Sequence, residues 1–439
     1  MQEPYAEWIW ESSRSLAQAV LDTETDLTET AREADGLVQR TAREMSRLAT
    51  KMILNEVSRR VTEGVRKEGL RVHRRTRVCF YGLFGPMEVE SPYLYDAATR
   101  RSSRPVKDGL GITHQGRSRA VDRALTDFGA EESFGQAAKR FEEHYGWSLN
   151  RTTLMRVVEQ EAVEAEHFVQ ARLNAEGAAF EERLTSRPVA SEVLVELDGC
   201  EIRTGELQPA QEAGETAVRR LPRRQRKEQW REVRIGLARQ LEEVEPTYVG
   251  RMDTYPEVIS QLFSAGVSHG LSPDTETIGV ADGGNGLMEE LQAQFPNLTF
   301  VLDRPHVVQH LYETAEAMAL EKEAQHDWAS RQIGRIDAGH VQMVIEELHQ
   351  HRGEGRERTR QLAQYLHRFR RCVHYEAYKA RGLPVGSGQV ESAHRWIPQK
   401  RLKLPGAFWK ADTINPMLAL RVLRANGWWQ EYWTSPNAP

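Results

Sequence analysis

The sequence predicts a mixed α/β fold preceded by a helical amino-terminal region, and three observations carry that expectation. Residues 5–68 show apolar recurrence at helical spacing with few breakers, as in AREMSRLATKMILNEVSRRV. After Pro188 the pattern changes to three strand-like segments (ASEVLVELDGCEIRTGEL, EQWREVRIGLARQL, PTYVGRM). Helix YPEVISQLFSAGV, strand TIGVADGGNG, helix GLMEELQAQFP and strand LTFVLDRPH follow. Residues 306–380 are then almost wholly helical and polar, up to a turn at Gly382-Leu383-Pro384.

Taken in order, the helical amino terminus leads into RVCFYGLFGPMEVESPYLYD, whose alternation around Phe84-Gly85-Pro86 predicts a β-hairpin over 77–96. A basic polar connector, 98–107, follows. Residues 117–165 return to helix in three pieces, the last two joined by the short turn Trp147-Ser148-Leu149. Ser133 can cap the first of these two helices, and Asn150 or Ser148 the second. With Ala137, Phe141, Leu149, Leu154 and Val158 at core-like spacing, the pair fits a helix-turn-helix within a DNA-binding region. Arg151, Thr152, Thr153 and Arg156 would then open the recognition helix; an ordinary αα-hairpin fits the same pattern. The expected organisation is a helical region with hairpin (1–110), a helix-turn-helix domain with a connecting helix (111–185), an α/β core (186–305), an all-α insertion (306–381) and a carboxy-terminal return to the core (382–439).

Length and composition set the bounds. A chain of 439 residues accommodates two or three domains. No apolar run approaches the roughly 20 residues of a membrane span, so no membrane partner is expected. The amino terminus MQEPYAEWIWESS lacks a basic n-region and an apolar h-region. Three cysteines, Cys79, Cys200 and Cys372, without a CxxC pair argue against a disulfide framework and for a cytoplasmic protein. A net charge of −5 conceals segregation: 66–77 holds six basic residues against one acid, 215–239 nine against three, and 392–410 five against none. A solvated surface accounts for any one run. Three runs, two of them carrying a Trp (Trp230, then Trp396 and Trp409), fit a phosphate backbone with bases stacked nearby. The cations expected to face DNA are Arg223, Arg224, Arg226 and Lys227 in the second run, then Arg395, Lys400, Arg401 and Lys403 in the third.

The acidic residues suggest the chemistry. Asp198 ends an apolar strand and precedes Gly199; Asp282 ends another and precedes Gly283-Gly284. A carboxylate so placed is expensive unless a cation sits beside it, although Asp-Gly also marks turns. Glu391 lies in a helix opened by GSGQ. If the three converge, an all-oxygen set suits two Mg²⁺ or Mn²⁺ ions rather than zinc. Two such ions about 4 Å apart activate a water or 3′-hydroxyl for in-line attack on a phosphodiester. His306 and His310, spaced i, i+4, raise a zinc site that lacks a third strong ligand. The GGNG at 283–286 fits a phosphate cradle or, better, a close-packed turn. Trp396 fits base stacking or core packing equally, and Trp428, Trp429 and Trp433 fit core or interface anchors.

The phrases VELDGCEIRTGE, GVADGGNGLMEELQAQFPNLTFVLDRPHVVQHLYETA and GLPVGSGQVESAHRWIPQKRLKLPGAFW resemble bacterial insertion-sequence transposases of the ISKra group, relatives of the Mutator and hAT superfamily. The resemblance covers about residues 120–430. It implies a ribonuclease H-like DDE core with an all-α insertion before the final Glu. Asp198 would be the first catalytic, metal-binding carboxylate and Glu391 the last. Asp282 is assigned as the middle ligand, with Asp303 and His306 as a supporting pair near the scissile phosphate; Asp303 is the competing choice. The expected protein binds terminal inverted repeats and target DNA, cuts and joins strands with two Mg²⁺ or Mn²⁺, works as a homodimer or larger oligomer, and associates with the bacterial nucleoid. The alternative is a catalytically silent, domesticated DNA-binding repressor.

Overall fold

The computed structural model describes residues 3–23, 26–178, 180, 189–208, 225–295 and 297–435. The chain divides into two compact units, 1–158 and 159–439. Among the described residues no helix is long and apolar enough to cross a membrane.

In the first unit the predicted helical amino terminus is two helices, α1 (Glu3–Thr23) and α2 (Leu27–Lys67), the second opened by Asp26 accepting from the Thr28 and Glu29 amides. Strands β1 (Arg71–Arg74), β2 (Arg77–Gly82), β3 (Gly85–Glu90), β4 (Tyr93–Tyr95), β5 (Ser102–Ser103) and β6 (Gly116–Arg117) form two small sheets, ordered β1-β4-β5 and β3-β2-β6. The expected hairpin is therefore shorter than 77–96. Its turn is Leu83-Phe84, where Gly82 pairs with Gly85. The segment at 93–95 leaves the hairpin for β1, which the basic run at 66–77 concealed. Alternation fixes which side chains point inward but not which strand is the partner.

Helix α3 (Pro105–Leu110) precedes three packed helices, α4 (Arg119–Glu131), α5 (Phe134–Tyr145) and α6 (Arg151–Ala178). Ser133 caps α5 through the Gln136 amide, and Asn150 accepts from the Thr152 amide at the start of α6. Ala137, Phe141, Leu154 and Val158 are fully buried as expected, whereas Leu149 is half-buried. The turn is held from outside the helix pair. Trp147 stacks on Tyr81 at 5.7 Å and donates to the Leu83 carbonyl at 3.0 Å.

The second unit is built on a five-stranded mixed sheet ordered β11-β10-β7-β8-β9, from β7 (Glu192–Gln208), β8 (Gln225–Gln240), β9 (Thr247–Arg251), β10 (Glu276–Ala281) and β11 (Leu298–Leu302). β11, β10 and β7 run parallel, and β8 and β9 are antiparallel. Helix α7 (Tyr255–Ser268) crosses from β9 to β10, and α8 (Leu287–Gln294) from β10 to β11. The residues 304–380 form five helices: α9 (Arg304–Ala317), α10 (Lys322–Asp337), α11 (Val341–Gln350), α12 (Arg356–Arg368) and α13 (Tyr375–Ala380). The chain then returns through α14 (Gly388–His394), a π-helical turn (Arg395–Gln399), α15 (Ile414–Ala425) and α16 (Trp429–Thr434). Both sheet faces are covered. A Cβ on Gly236 would meet Leu262 of α7, and one on the paired strand at Gly250 would meet Val422 of α15.

Asp198 does not end its strand, because β7 continues to Gln208 and pairs with β8 along its whole length, through Gln208↔Gln225. The antiparallel partner satisfies the backbone beyond the point where parallel pairing stops, so Asp-Gly stays extended and makes no turn.

Candidate metal centre

The register explains how distant carboxylates meet. Leu197, Ala281 and Leu302 stand side by side on β7, β10 and β11. Asp198, Asp282 and Asp303 are the residues that follow, so all three project from one row at the carboxyl end of the parallel strands. Neighbouring strands lie about 4.8 Å apart, which crowds three acids into one edge. Burial pushes the Asp198 carboxyl above the usual range, and the charges of Asp282 and Asp303 push the same way.

Asp303 and Asp198 differ in what they touch. Asp303 is fully buried and caps α9. Its Oδ1 accepts from the Ser387 amide at 2.9 Å, and its Oδ2 from the His306 amide at 3.2 Å and from His306 Nδ1. Both oxygens are committed. Asp198 and Asp282 each accept one amide at Oδ1, from Gly199 at 2.8 Å and Gly284 at 3.1 Å. Their second oxygens are the ones left to face a cation.

Helix α14 brings Glu391 to this row from nearly two hundred residues away, and three ties fix it. The Arg304 amide donates to the Val385 carbonyl at 2.9 Å, the Val390 amide to Glu196 at 2.8 Å, and Arg239 Nε to Gln389 Oε1 at 2.7 Å. Ligand atoms of Asp303, His306 and Glu391 consequently lie within 4.8 Å of one another. Glu391 itself is exposed, toward the open side of the site.

Two histidines frame the acids in different charge states. His306 is raised to about 9, first by its bond to Asp303 and then by Asp198 and Asp282, so it is a cation near neutral pH. His394, three residues after Glu391, is buried with Nε2 3.6 Å from Asp198 Oδ2; burial lowers it to about 4, so it is neutral. His394 and the buried Glu196, lifted to about 7 by desolvation, were missed by sequence reasoning. The available signal was spacing: Glu196 lies two positions before Asp198 on the same strand face, and His394 one helical turn after Glu391.

The donor chemistry fits hard divalent cations. Among the described residues the group whose ligand atoms lie within 4.8 Å of one another is Asp303, His306 and Glu391, and the expected Asp198 and Asp282 stand in the neighbouring strand row outside that group. The carboxylate oxygens of this edge would suit Mg²⁺ or Mn²⁺ better than zinc. His310 turns instead to Glu313 at 3.3 Å and Arg358 at 3.0 Å, so the i, i+4 pair forms no zinc site. The GGNG segment is a close-packed turn, since a Cβ on Gly283 would lie 2.3 Å from the Tyr365 ring.

The expected DNA-facing residues separate by burial. Arg151, Thr152, Arg156, Lys227, Arg395, Lys400 and Lys403 are exposed, and Thr153 is half-buried. Arg226 takes a strand position on β8, and Arg223 and Arg224 lie outside the described residues. Arg401 must be removed from the group. It is 2% exposed, stacked 4.7 Å over the Trp409 ring, because the helical turns after Arg395 carry it to the inner side. Trp409 is buried, and Trp396 is half-buried, packing edge-on against Tyr248 at 5.1 Å. Trp230, at 64% exposure on β8, is the most exposed of the three.

No protein-family model matches this chain, and no curated protein matches it.

Proposed function

We propose that the protein is a DDE transposase with a ribonuclease H-like core, binding the terminal inverted repeats of an insertion sequence and catalysing DNA cleavage and strand transfer. One observation carries the reading. Three acids follow a single aligned row of parallel strands, and a helix arriving after five further helices adds Glu391 beside Asp303 of that row. Strand order β11-β10-β7-β8-β9, with the last two antiparallel, supports the core assignment.

In this reading Asp198, Asp282 and Glu391 hold two Mg²⁺ or Mn²⁺ ions. When bound, these supply an activated water or 3′-hydroxyl and offset charge on the leaving oxygen. Asp303 holds His306 in one orientation through Nδ1, which leaves the cationic Nε2 side to donate to a phosphate oxygen. Glu196 and Arg239 keep α14 seated on the sheet, so Glu391 is positioned before DNA arrives. The exposed cations of the helix pair, the β7–β8 hairpin and the segment 395–403 hold duplex DNA. The protein then works in the cytoplasm at the nucleoid.

Incubating purified protein with element ends and Mg²⁺ tests the proposal. Asp198→Asn and Glu391→Gln reduce nicking to background while end binding stays within about twofold. Binding without nicking by the wild-type protein, in both Mg²⁺ and Mn²⁺, would instead assign a silent DNA-binding protein.

A further inference from the structure

Large apolar side chains left exposed are concentrated at one place. Ten of the sixteen among the described residues fall between Trp8 and Ile53, on α1 and α2. Those on α2 are ordered. From Leu27 the positions advance by 4, 3, 4, 3, 4, 3 and 4 to Met52, and each is Leu, Ala, Val, Thr or Met. This is the a/d register of a heptad, kept for about three and a half repeats and about 38 Å of helix. Val38 is 41% exposed, Met45 48%, Leu48 45% and Met52 72%.

The opposite face of α2 already has its partner. Leu54 packs against the core of Phe80, Met87 and Val89, and Ser58 donates to the Glu90 carbonyl at 2.5 Å. Asn55, the next d position, accepts from the Glu90 amide at 2.8 Å, so the free stripe stops at Met52. At 100° per residue, Leu54 lies about 200° around the helix from Met52. The seam from Val38 to Met52 is therefore not the face that packs on β2 and β3; α1 also packs on α2, and Thr30 near its start is buried. A core-facing helix of a monomer needs one apolar stripe, and α2 has two.

We propose that the outer stripe pairs α2 with α2 of a second copy as a parallel two-stranded coiled coil. A second copy suits the stripe because the same a/d ladder on both sides is self-complementary. The flanking charges suit a parallel order. Lys51 at position g falls opposite Glu56 at the next e position of the partner, a carboxylate that also pairs with Arg59 and Arg60 of its own helix, and no g–e′ pair along 27–52 brings like charges together. An antiparallel pair would oppose Asp35 and Glu56 at e positions. Thr41 at d, among larger neighbours, leaves the register to be set by the Met and Leu layers around it. The pairing is independent of the chemistry at the acidic site.

Sedimentation equilibrium of the full-length chain without DNA, at tens of micromolar, tests this. The wild-type protein sediments as a dimer, and Met45→Glu/Leu48→Glu/Met52→Glu as a monomer with unchanged far-ultraviolet circular dichroism. A wild-type monomer across that range overturns the proposal, as does a triple variant that stays dimeric. Leu48→Cys guards against misfolding of the triple variant. Under mild oxidation it forms a disulfide-linked dimer that the wild-type chain, with its three native cysteines, does not. Absence of that cross-link in a dimeric Leu48→Cys protein overturns the parallel seam.

Discussion

Asp198 and Asp303 are the same residue type at equivalent strand positions, yet their partners give them different work. Asp303 spends both oxygens on Ser387 and His306, whereas Asp198 is half-buried, electrostatically crowded and bonded only at Oδ1 among its described hydrogen bonds. Ionised Asp198 thus costs stability in the metal-free protein. Asp198→Asn should raise the thermal midpoint without metal and abolish the further rise that Mg²⁺ gives the wild type; differential scanning fluorimetry reads both. A stabilising change that removes function is the expected exchange at a charged site. His306 gives a pH prediction of definite sign. Its folded value, about 9, lies above the ordinary 6.5, so its pairing with Asp303 stabilises fully below about 6.5 and fades as pH rises through 9. The stability gap between wild type and His306→Gln, from urea melts without metal, should be widest near pH 6 and closed by pH 10.

At the scale of elements, the decisive joint is α14 on the sheet. Glu196 accepts the Val390 amide inside a buried contact, so Glu196→Leu leaves a buried donor unpaired and should cost about 1–3 kcal/mol. Because α14 carries Glu391, the same variant should weaken Mn²⁺ binding by calorimetry more than Glu196→Gln, which keeps an acceptor. Gly283→Val tests the turn after β10. Its side chain would enter the space of Tyr365 and Phe369, and overpacking of this kind costs about 1–3 kcal/mol in a denaturant melt. These joints were partly legible. The ends of β10 and β11, the caps at Ser133 and Asn150 and the helical character of 306–380 follow from local pattern. The continuation of β7 past Asp198 and the transfer of β4 to β1 do not, since pairing partners lie far along the chain and alternation is silent about them.

At the scale of the molecule, charge is placed rather than summed. Two adjacent cations, Lys400 and Arg401, look alike in sequence and part company in the fold. Lys400→Ala should lower the salt dependence of DNA binding by about one released counterion without changing stability. Arg401→Ala should leave that slope unchanged and lower the unfolding midpoint, because its guanidinium lies inside against Trp409. Fluorescence anisotropy over a salt series and a thermal melt separate the two. The same logic applies to the apolar stripe of α2, which hydropathy marks as helix interior and only the fold reveals to be turned outward.

Periodicity and residue chemistry by themselves determined the mixed α/β class, the helical amino terminus, the inserted helices and the acids Asp198, Asp282 and Glu391 as candidates, because these depend on short-range pattern and on the cost of a carboxylate beside an apolar strand. The tertiary structure alone decided that Asp303 stands level with Asp198 and Asp282, that Glu196 and His394 pack beside these acids, that Arg401 is buried and that α2 has two faces. Each of these depends on which distant segment supplies the partner, and the free energy of a buried polar group is set by that partner rather than by its own neighbours in sequence.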